Sequence, residues 1–75
     1  MKDVLEYIVK SLVKNKDKVS IKEEKEGNFI RYIIEVDRDE FGKVIGHEGK
    51  IAKDIRTIMG AIATIKDVKV AIDIR

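Results

Sequence analysis

Residues 44 to 50 read Val44-Ile45-Gly46-His47-Glu48-Gly49-Lys50. An apolar pair leads into two glycines three apart, and a lysine follows. Glycine adds nothing to a core and loses the most chain entropy on folding, so two so close mark a backbone that turns tightly or is approached closely. Gly46 ends one helical pattern and Gly49 opens the next, with His47 and Glu48 between them. Amides at the start of a helix have no partner within it and carry partial positive charge. A phosphate can approach them where no side chain stands at 46 or 49. Between residues 43 and 56 four cations, Lys43, Lys50, Lys53 and Arg56, face two anions, Glu48 and Asp54. Spacing alone leaves two readings open: a phosphate-binding loop, or a plain turn beside a solvated charged face.

The elements around this loop follow from hydrophobic period. Ile51, Ala52, Ile55, Ile58, Met59 and Ile62 fall on one stripe of a helix that starts just past Gly49. Before the loop, Phe41, Val44 and Ile45 are the inward residues of a short helix. Asp37 begins it, with Glu40 three residues on in a capping-box pattern. Further upstream, Phe29 to Val36 is rich in β-branched and aromatic residues. Ile30, Tyr32, Ile34 and Val36 share one face and Phe29 and Ile33 the other, which suits a central strand. The turn Glu26-Gly27-Asn28 joins it to a strand around Val19 and Ile21 as an antiparallel hairpin. Val68, Val70, Ile72 and Ile74 alternate with polar or small residues, a half-buried strand. The segment from Asp3 to Lys14 predicts a first helix on Val4, Leu5, Ile8, Val9, Leu12 and Val13. Asp3 and Glu6 read as its capping box and Asn15 as its stop. The order helix-strand-strand-helix-helix-strand predicts one α+β domain over residues 1–75. It is a two-layer sandwich of three helices on a three-stranded mixed sheet, the two-helix crossover being long enough for parallel pairing.

Composition narrows the function. Sixteen basic and fourteen acidic residues leave a net charge of +2. Indiscriminate nucleic-acid binding scales with the charge brought to phosphate, so any such site must be local. Without cysteine there is no disulfide and no zinc-thiolate site. One histidine and scattered carboxylates do not assemble a metal site. No apolar run approaches the ~20 residues that span a bilayer, and the first residues lack a leader pattern, so a cytoplasmic protein off the membrane is expected. No nucleophile with a placed base can be named, so the chain reads as non-enzymatic, with no cofactor implied. A Walker-type loop would need glycine at 44 and Ser/Thr at 51, where Val44 and Ile51 stand. A helix-turn-helix is a nearer rival. Its second helix, however, would offer a DNA groove only Lys50, Lys53, Asp54, Arg56 and Thr57.

The fuller pattern, Val44-Ile45-Gly46-x-x-Gly49-Lys50-Ile51-x-x-x-Ile55 between two helices after a strand, resembles the K-homology (KH) domain. The element order resembles its type II arrangement. The resemblance covers essentially the whole chain. It extends to the small bacterial proteins made of a single KH domain, through Leu5–Val13, Gly42–Gly49 and Ala52–Met59. It implies binding of single-stranded RNA, about four nucleotides long, with the Gly-x-x-Gly loop on the backbone. By that resemblance Gly46, His47, Glu48 and Gly49 meet phosphates, while Lys43, Lys50 and Lys53 add charge. Ile45 and Ala52 would floor a base groove, with Ile55 more at home in the core. The variable loop positions often include Lys or Arg in RNA-binding members. Here they are His47 and Glu48, and Glu48 sets a carboxylate beside the phosphate path. The resemblance also implies pairing, with a second copy or with a larger KH-containing RNA-binding protein. It further implies a broad RNA-binding or RNA-chaperone role in cell growth and division. Phe29 and Ile33 suggest the association surface. The alternative is a KH-fold interaction module that acts through a dimer partner and binds no RNA itself.

Overall fold

Strand β2 (Phe29–Glu35) is the centre of the sheet. Its sequence carries apolar side chains on both faces, and a strand paired on both edges is where such a sequence is stable. In the computed structural model, which describes residues 1–75, β2 pairs antiparallel with β1 (Ser20–Glu26). On its other edge it pairs parallel with β3 (Lys69–Ile74). Gly27, at φ +60°, turns the β1–β2 hairpin where a side chain would be strained. The remaining elements are α1 (Lys2–Leu12), α2 (Phe41–Ile45) and α3 (Lys50–Ile65), giving the order α-β-β-α-α-β. Three helices on a three-stranded mixed sheet in this order form the type II KH fold.

The core lies between the sheet and the helices. Leu5, Val9 and Val13 meet Ile30, Tyr32 and Ile34 of β2, Val44 of α2, Ile55 and Met59 of α3, and Ile72 of β3. Tyr32 is 1% exposed, and burial beside the Glu23 carboxylate pushes its phenol up to about 12. On β1 only Ile21 reaches the core, opposite Ile34. The run Lys22-Glu23-Glu24-Lys25-Glu26 continues the strand with exposed charges, which is how an edge strand resists unwanted pairing. No helix is long and apolar enough to cross a membrane.

Several local expectations fail for identifiable reasons. Asp3 does not cap α1, because the helix already begins at Lys2. Its N-cap is Met1, which makes no side-chain bond. Glu6 instead pairs with Lys10 one turn on, at 2.8 Å. The helix stops at Leu12 rather than at Asn15, because Val13 goes extended (φ −114°, ψ 154°) and drops its side chain into the core. Phe41 and Ile58, expected to face inward, are 36% and 45% exposed. Each lies at the margin of its helix stripe, where the sheet no longer covers it. Ile33, assigned to the outer sheet face, is only 8% exposed, flanked by Lys22 and Asp73 on the neighbouring strands.

Candidate nucleic-acid interface

The loop is built by two glycines that are needed for different reasons. Helix α2 closes with the Gly46 N–H donating to the Gly42 carbonyl at 2.8 Å. The chain then leaves at φ +79°, ψ 174°, a region open essentially to glycine. A Cβ at 46 would stand 2.6 Å from Ile51 Cγ1 and 2.9 Å from Ile51 N. Gly46 is thus seated on the first turn of α3. Gly49 is left-handed (φ +75°, ψ 14°) with nothing within 4 Å of where its Cβ would be. Its conformation, not its packing, asks for glycine. Glu48 is also left-handed (φ +56°), which is uncommon for a residue with a side chain. His47–Gly49 make a single 3-10 turn closed by the Gly49 N–H on the Gly46 carbonyl at 3.2 Å. No side chain caps the start of α3, so its first amides are open at the loop.

Around this turn the two lysines, Lys50 and Lys53, are unpaired. The His47 and Glu48 side chains are 94% and 85% exposed and 3.6 Å apart. Glu48 therefore leans on His47 and neutralises neither Lys50 nor Lys53, which enter no ion pair. His47, Glu48, Lys50, Lys53 and Asp54 line an open recess of about 450 Å³ with no apolar side chain in it. Such a recess presents charge to a phosphate. The residues expected to floor a base groove sit elsewhere: Ile45 is half-buried, and Ala52 and Ile55 are each 2% exposed beneath the helix. The fold thus gathers His47, Glu48, Lys50 and Lys53 at the loop, and Ile45 and Ala52 show little surface there.

Lys43 has a different role from the other two lysines. Its ammonium is 3.5 Å from the carboxylate of Glu40. Glu40 is buried, and its two oxygens accept the Lys14 N–H at 2.5 Å and the Asn15 N–H at 3.0 Å. Those two backbone bonds, with Lys43 adding to them, hold the carboxyl below the usual range against the opposing cost of burial. The expected capping box therefore half forms. Asp37 accepts the Asp39 N–H at 3.3 Å, but Glu40 reaches across the fold to tie the end of α1 to the start of α2. Its sequence signal was an acid at the third helical position, which cannot distinguish a local bond from one that spans 25 residues. Arg56 is likewise drawn away from the loop. Its Nε and one terminal nitrogen donate to the Ile72 carbonyl on β3, at 3.4 and 3.3 Å.

With the sheet, the paired helices and the Gly-x-x-Gly turn in place, the chain can be compared with known proteins. A family model described as the KhpA/KhpB KH domain matches residues 2–74. A protein of Chlamydia caviae named RNA-binding protein KhpA is 42% identical over 74 residues, covering 99% of this chain and 95% of that one. Proteins of the same name from Aquifex aeolicus and Halalkalibacterium halodurans are 45% and 36% identical. The first comparison spans 83% of this chain and 78% of the relative, the second 99% and 97%. No solved structure matches the chain at a significant level. The chain belongs to the KhpA/KhpB KH-domain family.

Proposed function

We propose that this protein binds single-stranded RNA without catalysing a reaction on it, holding the backbone at residues 46–49. The observation that carries the reading is the loop itself. Two consecutive left-handed residues, Glu48 and Gly49, precede an uncapped helix, and beside them Lys50 and Lys53 are unpaired in a recess lined by charged and polar residues. Gly46, His47, Glu48 and Gly49 meet phosphates, Lys50 and Lys53 supply charge, and Lys43 contributes what Glu40 leaves it. Relatives named as RNA-binding proteins support the same reading. A net charge of +2 makes the binding weak and salt-sensitive, as suits a broad RNA binder or chaperone.

The test is fluorescence anisotropy with a pool of short single-stranded RNAs at roughly 50 mM salt. Wild type is run beside the double variant His47→Asp, Glu48→Asp. Asp tolerates the left-handed backbone, so the fold is kept while negative charge moves onto the phosphate path. Binding by wild type, loss in the variant, and a log–log salt slope of about −3 for four phosphates are expected. No binding at high micromolar protein, or a flat slope, would leave the interaction-module reading.

That second reading has its own support. Tyr7 and Ile65 are 76% and 85% exposed on the helical layer, and Val4 and Ile58 are 42% and 45% exposed. This is more open apolar surface than Phe29 and Ile33 offer on the sheet. Pairing, with a second copy or with another KH-containing chain, is therefore proposed to use the helices. Sedimentation of wild type against Ile65→Lys tests it in the homodimer case.

A further inference from the structure

The helices cover one face of the sheet and leave the other bare. Strand alternation and the observed register set three rows on that bare face. They are Lys22-Ile33-Asp73, Glu24-Arg31-Ala71 and Glu26-Phe29-Lys69, each running from β1 through β2 to β3. The two outer strands carry opposite signs in the first and last rows. Lys22 stands across from Asp73, and Glu26 stands across from Lys69. These partners lie two strands apart, about 10 Å, which is too far to pair within one chain. Asp73 bonds instead to Arg75 on its own strand, at 3.0 Å. Lys22, Glu24, Glu26, Arg31 and Lys69 are exposed and enter no ion pair. The middle column holds the apolar side chains, Phe29 at 40% exposed and Ile33 at 8%.

We propose that this bare face binds the same face of a second copy, about a two-fold axis that runs along β2. Such an axis lays β1 of one chain over β3 of the other and keeps the rows in step. Lys22 then meets the copy's Asp73, and Glu26 meets the copy's Lys69. Symmetry makes each contact twice. Sheets packed face to face lie ~10 Å apart, a gap that a lysine and an acidic side chain span together. Glu24 lies over the copy's Ala71, whose small side chain leaves it room to reach the copy's Arg31. Phe29 and Ile33 lie on the axis and meet their own counterparts. At the rim Glu35 also meets its counterpart, with Arg75 alongside. A two-fold across the strands would instead stack Glu24 on the copy's Glu24, and like charges directly opposite are destabilising. Three strands of about seven residues offer roughly 300 Å² a side, so the contact is weak and governed by charge. It uses neither the loop nor the helices. A chain that also pairs through its helices has two separate two-fold contacts, and so builds assemblies of more than two copies.

The experiment places a thiol on the axis. The chain has no cysteine, so Glu35→Cys carries a single one. A short bis-maleimide, matched to the ~10 Å between packed sheets, joins two copies when these faces meet in the proposed orientation. Pairing through the helices alone leaves the two thiols on outer faces, out of its reach. The Glu35→Cys parent cross-links at low salt, and the yield falls several-fold at high salt as the charges are screened. Adding Lys22→Glu or Asp73→Lys lowers the yield by roughly tenfold, because each sets like charges together twice. An equimolar mixture of those two variants recovers the parent's yield, since each substituted side chain then faces the other. Thermal melting confirms that every variant folds. No cross-link in the parent, as a two-fold across the strands would also give, overturns the proposal. So do equal yields in the parent and the single variants, or a mixture no better than its components.

Discussion

Replacing Gly46 by alanine should cost far more stability than the same change at Gly49, although both glycines belong to one four-residue motif. At Gly46 two penalties combine. The backbone at φ +79°, ψ 174° is a region that side chains avoid at a cost of about 1–3 kcal/mol. The new methyl would also lie 2.6 to 2.9 Å from three atoms of Ile51, one of them the backbone nitrogen, which cannot swing aside. Overpacking of this kind costs about 1–3 kcal/mol more. The sum, about 2–6 kcal/mol, compares with about 4–11 kcal/mol for the total stability of a domain this size. At Gly49 the only penalty is the left-handed backbone, about 1–2 kcal/mol, and the stiffer unfolded chain returns roughly 0.4–1 of it. Thermal unfolding followed by circular dichroism measures both. Gly46→Ala should lower the melting temperature by at least ~8 °C, from ~4–8 °C per kcal/mol, and Gly49→Ala by only a few degrees. Equal losses at the two sites, or a smaller one at Gly46, would refute the seating of the loop on Ile51. The magnitude also bears on how the loop is tested. A Gly46 variant that fails to bind RNA has also lost much of its stability, which is why the His47 and Glu48 substitutions carry the functional test.

Two further outcomes follow from other parts of the molecule. Glu40 has its carboxyl held below the usual 4.5, chiefly by the Lys14 and Asn15 amides. Its contribution to stability is therefore complete above that value and drains away as pH falls through the lowered one. Urea titrations from pH 7 downward should show a steeper acid limb for wild type than for Glu40→Gln, and superimposable limbs would deny the carboxylate this role. Gly60→Ala should raise stability by about 0.5–1 kcal/mol, because a helix-interior methyl there meets no atom and narrows the unfolded ensemble. A destabilised Gly60→Ala would mean that the helix is under a constraint not visible in its contacts.

Hydrophobic period, with turn and capping residues, located all six elements, because burial is one-sided in a two-layer fold. Residues 55 and 59 had to face the sheet, and residues 30, 32 and 34 had to face the helices. It erred at margins. Ile58 and Phe41 fit the stripe as well as their neighbours do, yet the sheet is only three strands wide and leaves them exposed. The loop was legible as well, since glycines with no packing excuse are rare enough to notice. What could not be read was where long polar side chains end. Glu40 satisfies the capping pattern in sequence and bonds Lys14 and Asn15 in space. Arg56 counts as one more cation near the loop until the fold brings the β3 edge alongside it. Both depend on pairs of segments that meet only after the chain has closed.

The sheet also sets an order of events in folding. Each residue of β2 pairs with a β1 residue nearby across a two-residue turn, and all but Glu35 pair with a β3 residue 40 positions later, as Phe29 does with Lys69 (69 − 29 = 40). A hairpin of that span closes in microseconds, whereas the parallel pairing waits on the entropy of the long intervening segment. That segment contains α2, the glycine turn and α3. The two halves of the sheet therefore form on different clocks. The loop lies within the stretch whose two ends the β2–β3 pairing must bring together.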